Sequence, residues 1–220
     1  MTEARPRLVI ADDHRVVVQG LQQLLGGRFD IVAVAYAGDE LLKLLETTPS
    51  DALLLDLSLP GRNGLDILPE IRALQPDLKV LVLTMHADRV LAEASVAAGA
   101  LGFVPKDAGM DELELALQQV LAGRRYVSPR VPKSSHRVAL GAMHASLARL
   151  TERQQTILRL LGQGHSSAEI GEKLGLSENT ITFHRRRIRA ILGLASEWEL
   201  MRQAILVHLA TTGEDGGNPK

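Results

Sequence analysis

The sequence predicts a doubly wound, five-stranded parallel α/β domain followed by a smaller all-α domain. Three observations carry that expectation. Five short apolar runs alternate with helix-periodic segments over residues 1–125. Beyond residue 146 helical periodicity continues and no strand-like run appears. The charge also divides: residues 1–125 hold 12 Lys and Arg against 18 Asp and Glu, net −6, and residues 126–220 hold 13 against 8, net +5. An acidic half joined to a basic half points to two domains with different partners.

The apolar runs are "RLVIAD" (7–12), "DIVAVAYA" (30–37), "ALLLDL" (52–57), "KVLVLTM" (79–85) and "GFVPK" (102–106). They are continuous rather than alternating, as strands covered by helices on both faces must be. The intervening "VVVQGLQQLLG" and "DELELALQQVLAG" carry helical periodicity. After Gly123 the stretch "RRYVSPRVPKSSHRVALG" has two prolines and no sustained amphipathic period, so 126–146 reads as a linker, with "RVALGAMHASLARL" able to continue as helix. Helix starts follow at Thr151-x-x-Gln154, Ser166-x-x-Glu169 and Ser196-x-x-Glu199, the capping-box spacing, and after Ser177, a good N-cap. The Gly-rich "TTGEDGGNPK" (211–220) reads as a disordered tail. The expected organisation is 1–125, linker 126–146, helical domain 147–210 and tail.

Aromatics make up 3% of the 220 residues, so the cores must be built from Leu, Val, Ile and Ala. The absence of cysteine excludes disulfides and thiolate metal sites and suits a reducing cytoplasm. No apolar run approaches the roughly 18–20 residues that span a bilayer. "ADD" comes too early for a secretory leader. A cytoplasmic protein is expected.

In open parallel sheets, ligands bind beyond the carboxyl ends of the strands, where the strand order reverses. For the order 2-1-3-4-5 that point lies between the first and third strands. Asp12 and Asp13 end the first, and Asp56 ends the third, in "LLLDLSLPGRNG". Three converging carboxylates repel unless a cation offsets them, and Mg2+ suits few carboxylates plus waters and a phosphate. Thr84 closes the fourth strand and Lys106 the fifth. An aspartate nucleophile, a hard metal, a hydroxyl and an ammonium suit phosphoryl transfer to a carboxylate. A Mg2+-dependent phosphohydrolase working through an aspartyl-phosphate is the rival reading of the same acids.

"ADD", "DLSLPGRNG", Thr84 and Lys106 together resemble the receiver domain of two-component response regulators, a flavodoxin-like fold, over residues 7–123. The resemblance implies that Asp56 is the phosphoacceptor. It implies that Asp12, Asp13, Asp56 and the Ser58 carbonyl hold Mg2+, and that Thr84 and Lys106 read the phosphoryl group. Phe103 matches the aromatic switch residue, although a lone aromatic on a strand equally fits the core. Many receivers place proline directly after the lysine; here Pro105 precedes Lys106. His14 and His86 fall near the same edge and read as loop residues.

In the basic half, "SSAEIGEKLGLS" reads as a helix, a turn through Gly175 and an N-cap, and "ENTITFHRRRIRAIL" as the next helix with four arginines. Two helices joined by a tight turn match a helix-turn-helix, whose second helix enters the DNA major groove. Ile181, His184, Ile188, Ile191 and Leu192 form the side expected to be buried. Asn179, Thr182, Phe183 and Arg186 lie opposite, with Arg189 at the edge. Arg186 is placed to reach guanine O6 and N7, and Phe183 a thymine methyl. Arg185 and Arg187 flank this face, where phosphates lie. A membrane-surface helix needs a wide outward apolar stripe, which is missing.

Residues 147–209 resemble the LuxR-type DNA-binding domain, through "LTERQQTILRLLGQGHSSAEIGEKLGLSENTITFHRRRIRAILGL". With the receiver, the whole resembles a NarL/FixJ-subfamily response regulator. That resemblance implies a sensor histidine kinase as donor, double-stranded DNA as target, and homodimerisation through the last helix, where Trp198, Met201, Ile205 and Leu209 would line the interface. An apolar stripe there equally suits the domain's own core. The family often has lysine where this chain has Thr182.

Overall fold

The computed structural model describes residues 4–85, 88–132 and 147–213, with the side chains of 209–213 left aside. The chain divides into two compact units, Met1–Lys133 and Ser134–Lys220.

The first unit alternates β1 (Arg7–Ala11), α1 (Arg15–Leu25), β2 (Asp30–Ala35), α2 (Gly38–Thr47), β3 (Ala52–Leu55), α3 (Gly64–Leu74), β4 (Lys79–Thr84), α4 (Arg89–Ala97), β5 (Gly102–Pro105), α5 (Met110–Leu121) and β6 (Tyr126–Val127). All neighbouring strands pair in parallel, in the order β2-β1-β3-β4-β5-β6. The reversal therefore falls between β1 and β3. β3 and β5 are buried along their whole length, and β1 and β4 in all but their first residue, whereas β2 at the edge is only half-buried. Alternation splits the strand side chains between two faces. Leu8, Ile10, Leu54, Leu81, Leu83 and Val104 pack with Val18, Leu21 and Leu25 of α1 and Leu113, Leu117 and Val120 of α5. Leu53, Leu55, Val80, Val82 and Phe103 alternate with these residues and are equally buried.

The sheet has six strands where five were expected. Tyr126 and Val127, read as the start of a linker, pair with Gly102 and Phe103. The Tyr126 N–H donates to Leu101 O at 3.0 Å and the Ser128 N–H to Phe103 O at 2.9 Å. From α5, Glu112 accepts from the Tyr126 hydroxyl and from Arg130 Nε. A two-residue strand beside two arginines and a proline is too short to show periodicity. Most of the expected linker, 133–146, lies outside the described residues, as does His86.

The second unit contains α6 (Glu152–Gly162), α7 (Ser167–Leu174), α8 (Glu178–Leu192) and α9 (Glu197–Gly213). The Thr151–Gln154 and Ser166–Glu169 capping boxes form as their spacing predicts, and the Ser177 hydroxyl accepts from the Thr180 N–H. At Ser196 the box is altered: its hydroxyl accepts from the Glu199 N–H, while the Glu199 carboxylate reaches back to the Ala195 N–H. Gly175 ends α7 in the left-handed region at φ 64°, which favours glycine. Gly162 permits the closest helix approach: a Cβ there would stand 2.1 Å from Ala204 O of α9. α9 runs to Gly213, so the first three residues of the expected tail are helical; 214–220 lie outside the described residues. Among the described residues no helix is long and apolar enough to cross a membrane.

Candidate functional site

The acidic residues stand one step beyond the strand ends yet remain tied to the ladder. The Asp12 N–H donates to Ala35 O (3.1 Å), the Asp56 N–H to Ala11 O (2.8 Å) and the Lys106 N–H to Thr84 O (2.6 Å). Strand register thus sets their backbones, which is why placement at strand ends could be read without coordinates. Gly64, at the start of α3, keeps the following helix close: its N–H donates to Leu57 O (2.9 Å), and a Cβ there would meet Asp56 O at 2.5 Å.

The carboxylates converge as expected. Asp12, Asp13, His14 and Asp56 each offer a ligand atom, all within 4.8 Å of one another. Lys106 Nζ lies 2.6 Å from Asp12 Oδ2 and 2.7 Å from Asp56 Oδ2, with only 6% of its side chain exposed. Pro105 ahead of the lysine therefore does not keep the ammonium from the cluster. Burial pulls the Lys106 pKa down, but hydrogen bonds and charge attraction from Asp12 and Asp56 outweigh it, and the net shift is upward. The other Asp56 oxygen, Oδ1, accepts from the Ser58 N–H at 3.1 Å. Asp13 Oδ1 is shielded from solvent and accepts no hydrogen bond among the described residues, although His14 Nδ1 stands 2.7 Å away. His14 is the member that sequence reasoning set aside; its position directly after the two acids was the available signal.

One lysine against three aspartates leaves a surplus of two negative charges. Three oxygen donors, one of them accepting no hydrogen bond, fit a hard divalent cation. Thr84 and Phe103 are fully buried. Phe103 pairs in register with Val82, two residues before Thr84, so both belong to the same face of the sheet at adjacent levels.

On α8, Asn179, Thr182, Phe183, Arg186 and Arg187 are exposed, Phe183 by 55%. The Arg187 guanidinium lies 5.8 Å from the Phe183 ring centroid, a cation–π contact. Ile181 and Ile188 are buried, and His184, Ile191 and Leu192 half-buried.

One arginine departs from its expected flank, while Arg189 stays half-buried at the expected edge. Arg185, expected on the phosphate flank, is 7% exposed; its Nε donates to Glu197 Oε1 (2.7 Å) and its Nη1 to Ser167 Oγ (2.8 Å). Arg189 Nη2 donates to Ala195 O (2.8 Å), and Nη1 lies 3.5 Å from Glu197 Oε2. Arg185 turns inward and Arg189 leans along the edge, both drawn to Glu197 at the start of α9.

The expected interface stripe on α9 is also corrected. Met201 and Ile205 are buried within the unit's own core, and Trp198 is half-buried. Leu209 lies on the helix, with its side chain outside the described ones.

A switch-point carboxylate cluster bridged by a lysine, in a chain that also carries a helix-turn-helix unit, is the architecture of a two-component response regulator. The response regulator receiver domain model matches residues 8–118, and the model of bacterial regulatory proteins of the luxR family matches 148–204. The response regulator GacA of Pseudomonas aeruginosa is 31% identical over 206 residues, covering 90% of this chain and 95% of that protein. The oxygen regulatory protein NreC of Staphylococcus aureus is 34% identical over 210 residues, covering 90% and 96%. Among solved structures, a LuxR-family response regulator from Aurantimonas sp. SI85-9A1 is 33% identical, with a TM-score of 0.56 over 58% of this chain and 93% of that one. RcsB from Salmonella enterica serovar Typhimurium, bound to a promoter with the phosphomimetic BeF3−, is 25% identical with a TM-score of 0.58 over 93% and 100%. The chain belongs to the NarL/FixJ family of response regulators.

Proposed function

We propose that this protein is a cytoplasmic transcription regulator, switched by phosphorylation of Asp56 from a sensor histidine kinase. The convergence of Asp12, Asp13, Asp56 and Lys106 at the β1–β3 switch point carries the reading. Asp12, Asp13, Asp56 and the Ser58 carbonyl would hold Mg2+, which would supply charge neutralisation to the phosphoryl oxygens and the acids around them. An Asp56 oxygen attacks phosphorus; the O–P bond forms as the donor's P–N bond breaks, leaving an acyl phosphate. Each Asp56 oxygen holds one partner, the Ser58 N–H on Oδ1 and Lys106 Nζ on Oδ2, which leaves a lone pair for attack. Lys106 supplies its ammonium to the transferred group, and Thr84 its hydroxyl.

Thr84 and Phe103 share a face of the sheet, which supports a switch in which rearrangement at one requires repacking at the other. Phosphorylation shifts the population toward a form that homodimerises and binds double-stranded DNA in the major groove. Asn179, Thr182, Phe183 and Arg186 form the reading face, with Arg187 on the phosphate flank. The contacts made by Arg185 and the burial of Met201 and Ile205 remove them from the surfaces first assigned to them.

The test is incubation with acetyl phosphate and Mg2+, beside Asp56→Asn, with intact mass and DNA affinity read on the same samples. One added phosphoryl group, absent in the variant and accompanied by tighter DNA binding, is expected. Labelling of Asp56→Asn equal to wild type overturns the phosphoacceptor; labelling without change in DNA affinity overturns the coupling. The rival phosphohydrolase reading predicts multiple turnovers on a small phosphoester and leaves the exposed arginine face of α8 without a task.

A further inference from the structure

A buried, multiply bonded charge in the helical unit belongs to Arg185, first read as a phosphate contact. Arg185 sits on α8 between Ile181 and Ile188, both fully buried, at the i, i+4, i+7 spacing of a core stripe. Its guanidinium meets Glu197, Ser167 and Met201. Nε donates to Glu197 Oε1 (2.7 Å), with Nη2 2.5 Å from the same oxygen. Nη1 donates to Ser167 Oγ (2.8 Å), and Nη2 meets Met201 Sδ (3.8 Å). Ser167 begins α7, the first helix of the helix-turn-helix, and Glu197 begins α9. Glu197 also faces Arg189, at the half-buried edge of α8.

From this geometry we infer that Arg185 is a positioning residue for DNA recognition. Through Ser167 and Glu197 it fixes the rotation of α8 about its own axis, and so the direction in which Arg186, Thr182 and Phe183 leave the surface, while touching no DNA itself. Rotation matters because adjacent residues on a helix point about 100° apart, and bidentate base contacts tolerate little misdirection. Only a planar fork serves: a lysine brings one point charge and cannot hold a carboxylate and a hydroxyl in two fixed directions. Removing Glu197 would leave the buried Arg185 charge uncompensated, so Glu197 is as necessary as Arg185.

The inference rests on the DNA-binding reading and makes an unusual prediction of sign. Removing an acid from a DNA-binding protein ordinarily strengthens binding by reducing repulsion. Here Glu197→Gln weakens it. The full-length protein, phosphorylated with acetyl phosphate, is used to retain a preferred duplex from a randomised pool. The affinity and salt dependence of that duplex are then measured for wild type, Glu197→Gln, Arg185→Lys and Arg185→Met. Thermal unfolding and the emission of Trp198, the single tryptophan, monitor the fold and its packing beside Glu197.

Expected are affinity losses of about tenfold for Glu197→Gln and Arg185→Lys, an unchanged salt slope in both, and a shifted Trp198 emission. Arg185→Lys keeps the charge that a phosphate contact needs, so it distinguishes the two roles even where Arg185→Met fails to fold. The inference is overturned if Arg185→Lys binds like wild type. It is equally overturned if Glu197→Gln binds as tightly as wild type or tighter, or if a folded Arg185→Met lowers the salt slope by about 0.9, the signature of one lost phosphate contact. Absence of salt-dependent DNA binding by wild type overturns the DNA-binding reading, and the inference with it.

Discussion

Lys106 in the first unit and Arg185 in the second are both buried cations, and they do different things. Lys106 bridges Asp12 and Asp56 beside Asp13, a site that keeps two negative charges in excess. Arg185 meets Glu197 one to one, and the surplus positive charge is that of Arg189, which reaches solvent at the edge of the cluster. An excess of buried charge is costly unless a mobile ion or a transferred group balances it. The lysine cluster is therefore built to receive something, and the arginine cluster is closed. Burial and pairing alone do not separate chemistry from architecture; the local charge balance does.

The largest expected effect tests the lysine side of this comparison. Lys106→Met leaves Asp12 and Asp56 facing each other, and should cost roughly 3 kcal/mol of stability at pH 7 without metal. Millimolar Mg2+ should return much of that loss, because the ion replaces the missing charge; calorimetric unfolding with and without Mg2+ checks both. The pH dependence has a definite sign. The Lys106 pKa is raised above its ordinary 10.5, so its contribution is whole below that value and fades as pH rises through the raised one. Wild type and Lys106→Met should accordingly converge only in strong alkali.

A middle-sized effect tests the outward arginines. Arg186→Ala should weaken binding to the preferred duplex by about 1–3 kcal/mol and flatten discrimination between base pairs, whereas Arg187→Ala should weaken all sequences alike. Binding isotherms on a set of single-base variants separate the two. A uniform loss from Arg186→Ala would place it with the phosphate contacts and narrow the reading face to Asn179, Thr182 and Phe183.

The smallest effect concerns a closed ion site at the surface. Glu169 has its pKa lowered from 4.5, first by accepting the Ser166 N–H, against a smaller opposing effect of burial. Its contribution is present above 4.5 and is lost as pH falls through the depressed value. Because that side chain is half exposed, Glu169→Gln should change acid stability by only a few tenths of a kcal/mol, seen as a shallower slope below pH 4.5. Ser166→Ala removes the cap hydroxyl itself and should cost about 1 kcal/mol at any pH.

Much of the first unit was legible because its strands are continuous apolar runs and its acids stand where those runs stop. Register then brings residues far apart in sequence to one edge without any knowledge of side-chain contacts. The sixth strand was not legible: Tyr126 and Val127 owe their place to Leu101, Phe103 and Glu112 rather than to a pattern of their own. In the helical unit the period itself placed Arg185 in line with Ile181 and Ile188, but a charged residue on a core stripe reads as an edge. Its partner Glu197 is twelve positions away on another helix, and nothing local announces the pair. The α9 stripe was ambiguous for the opposite reason: apolar residues suit either a partner chain or the domain's own interior, and Met201 and Ile205 serve the interior.

The sixth strand also has a bearing on how a message leaves the first unit. Val127 is the register partner of Phe103, and the Ser128 N–H is bonded to the Phe103 carbonyl. The covalent route to the second unit therefore begins inside the sheet, one hydrogen bond from the aromatic that stands beside Thr84. A tether anchored at a remote loop would be deaf to events at residue 103. This one is hydrogen-bonded to residue 103 itself, so the switch proposed for Phe103 would meet the outgoing chain at its first step.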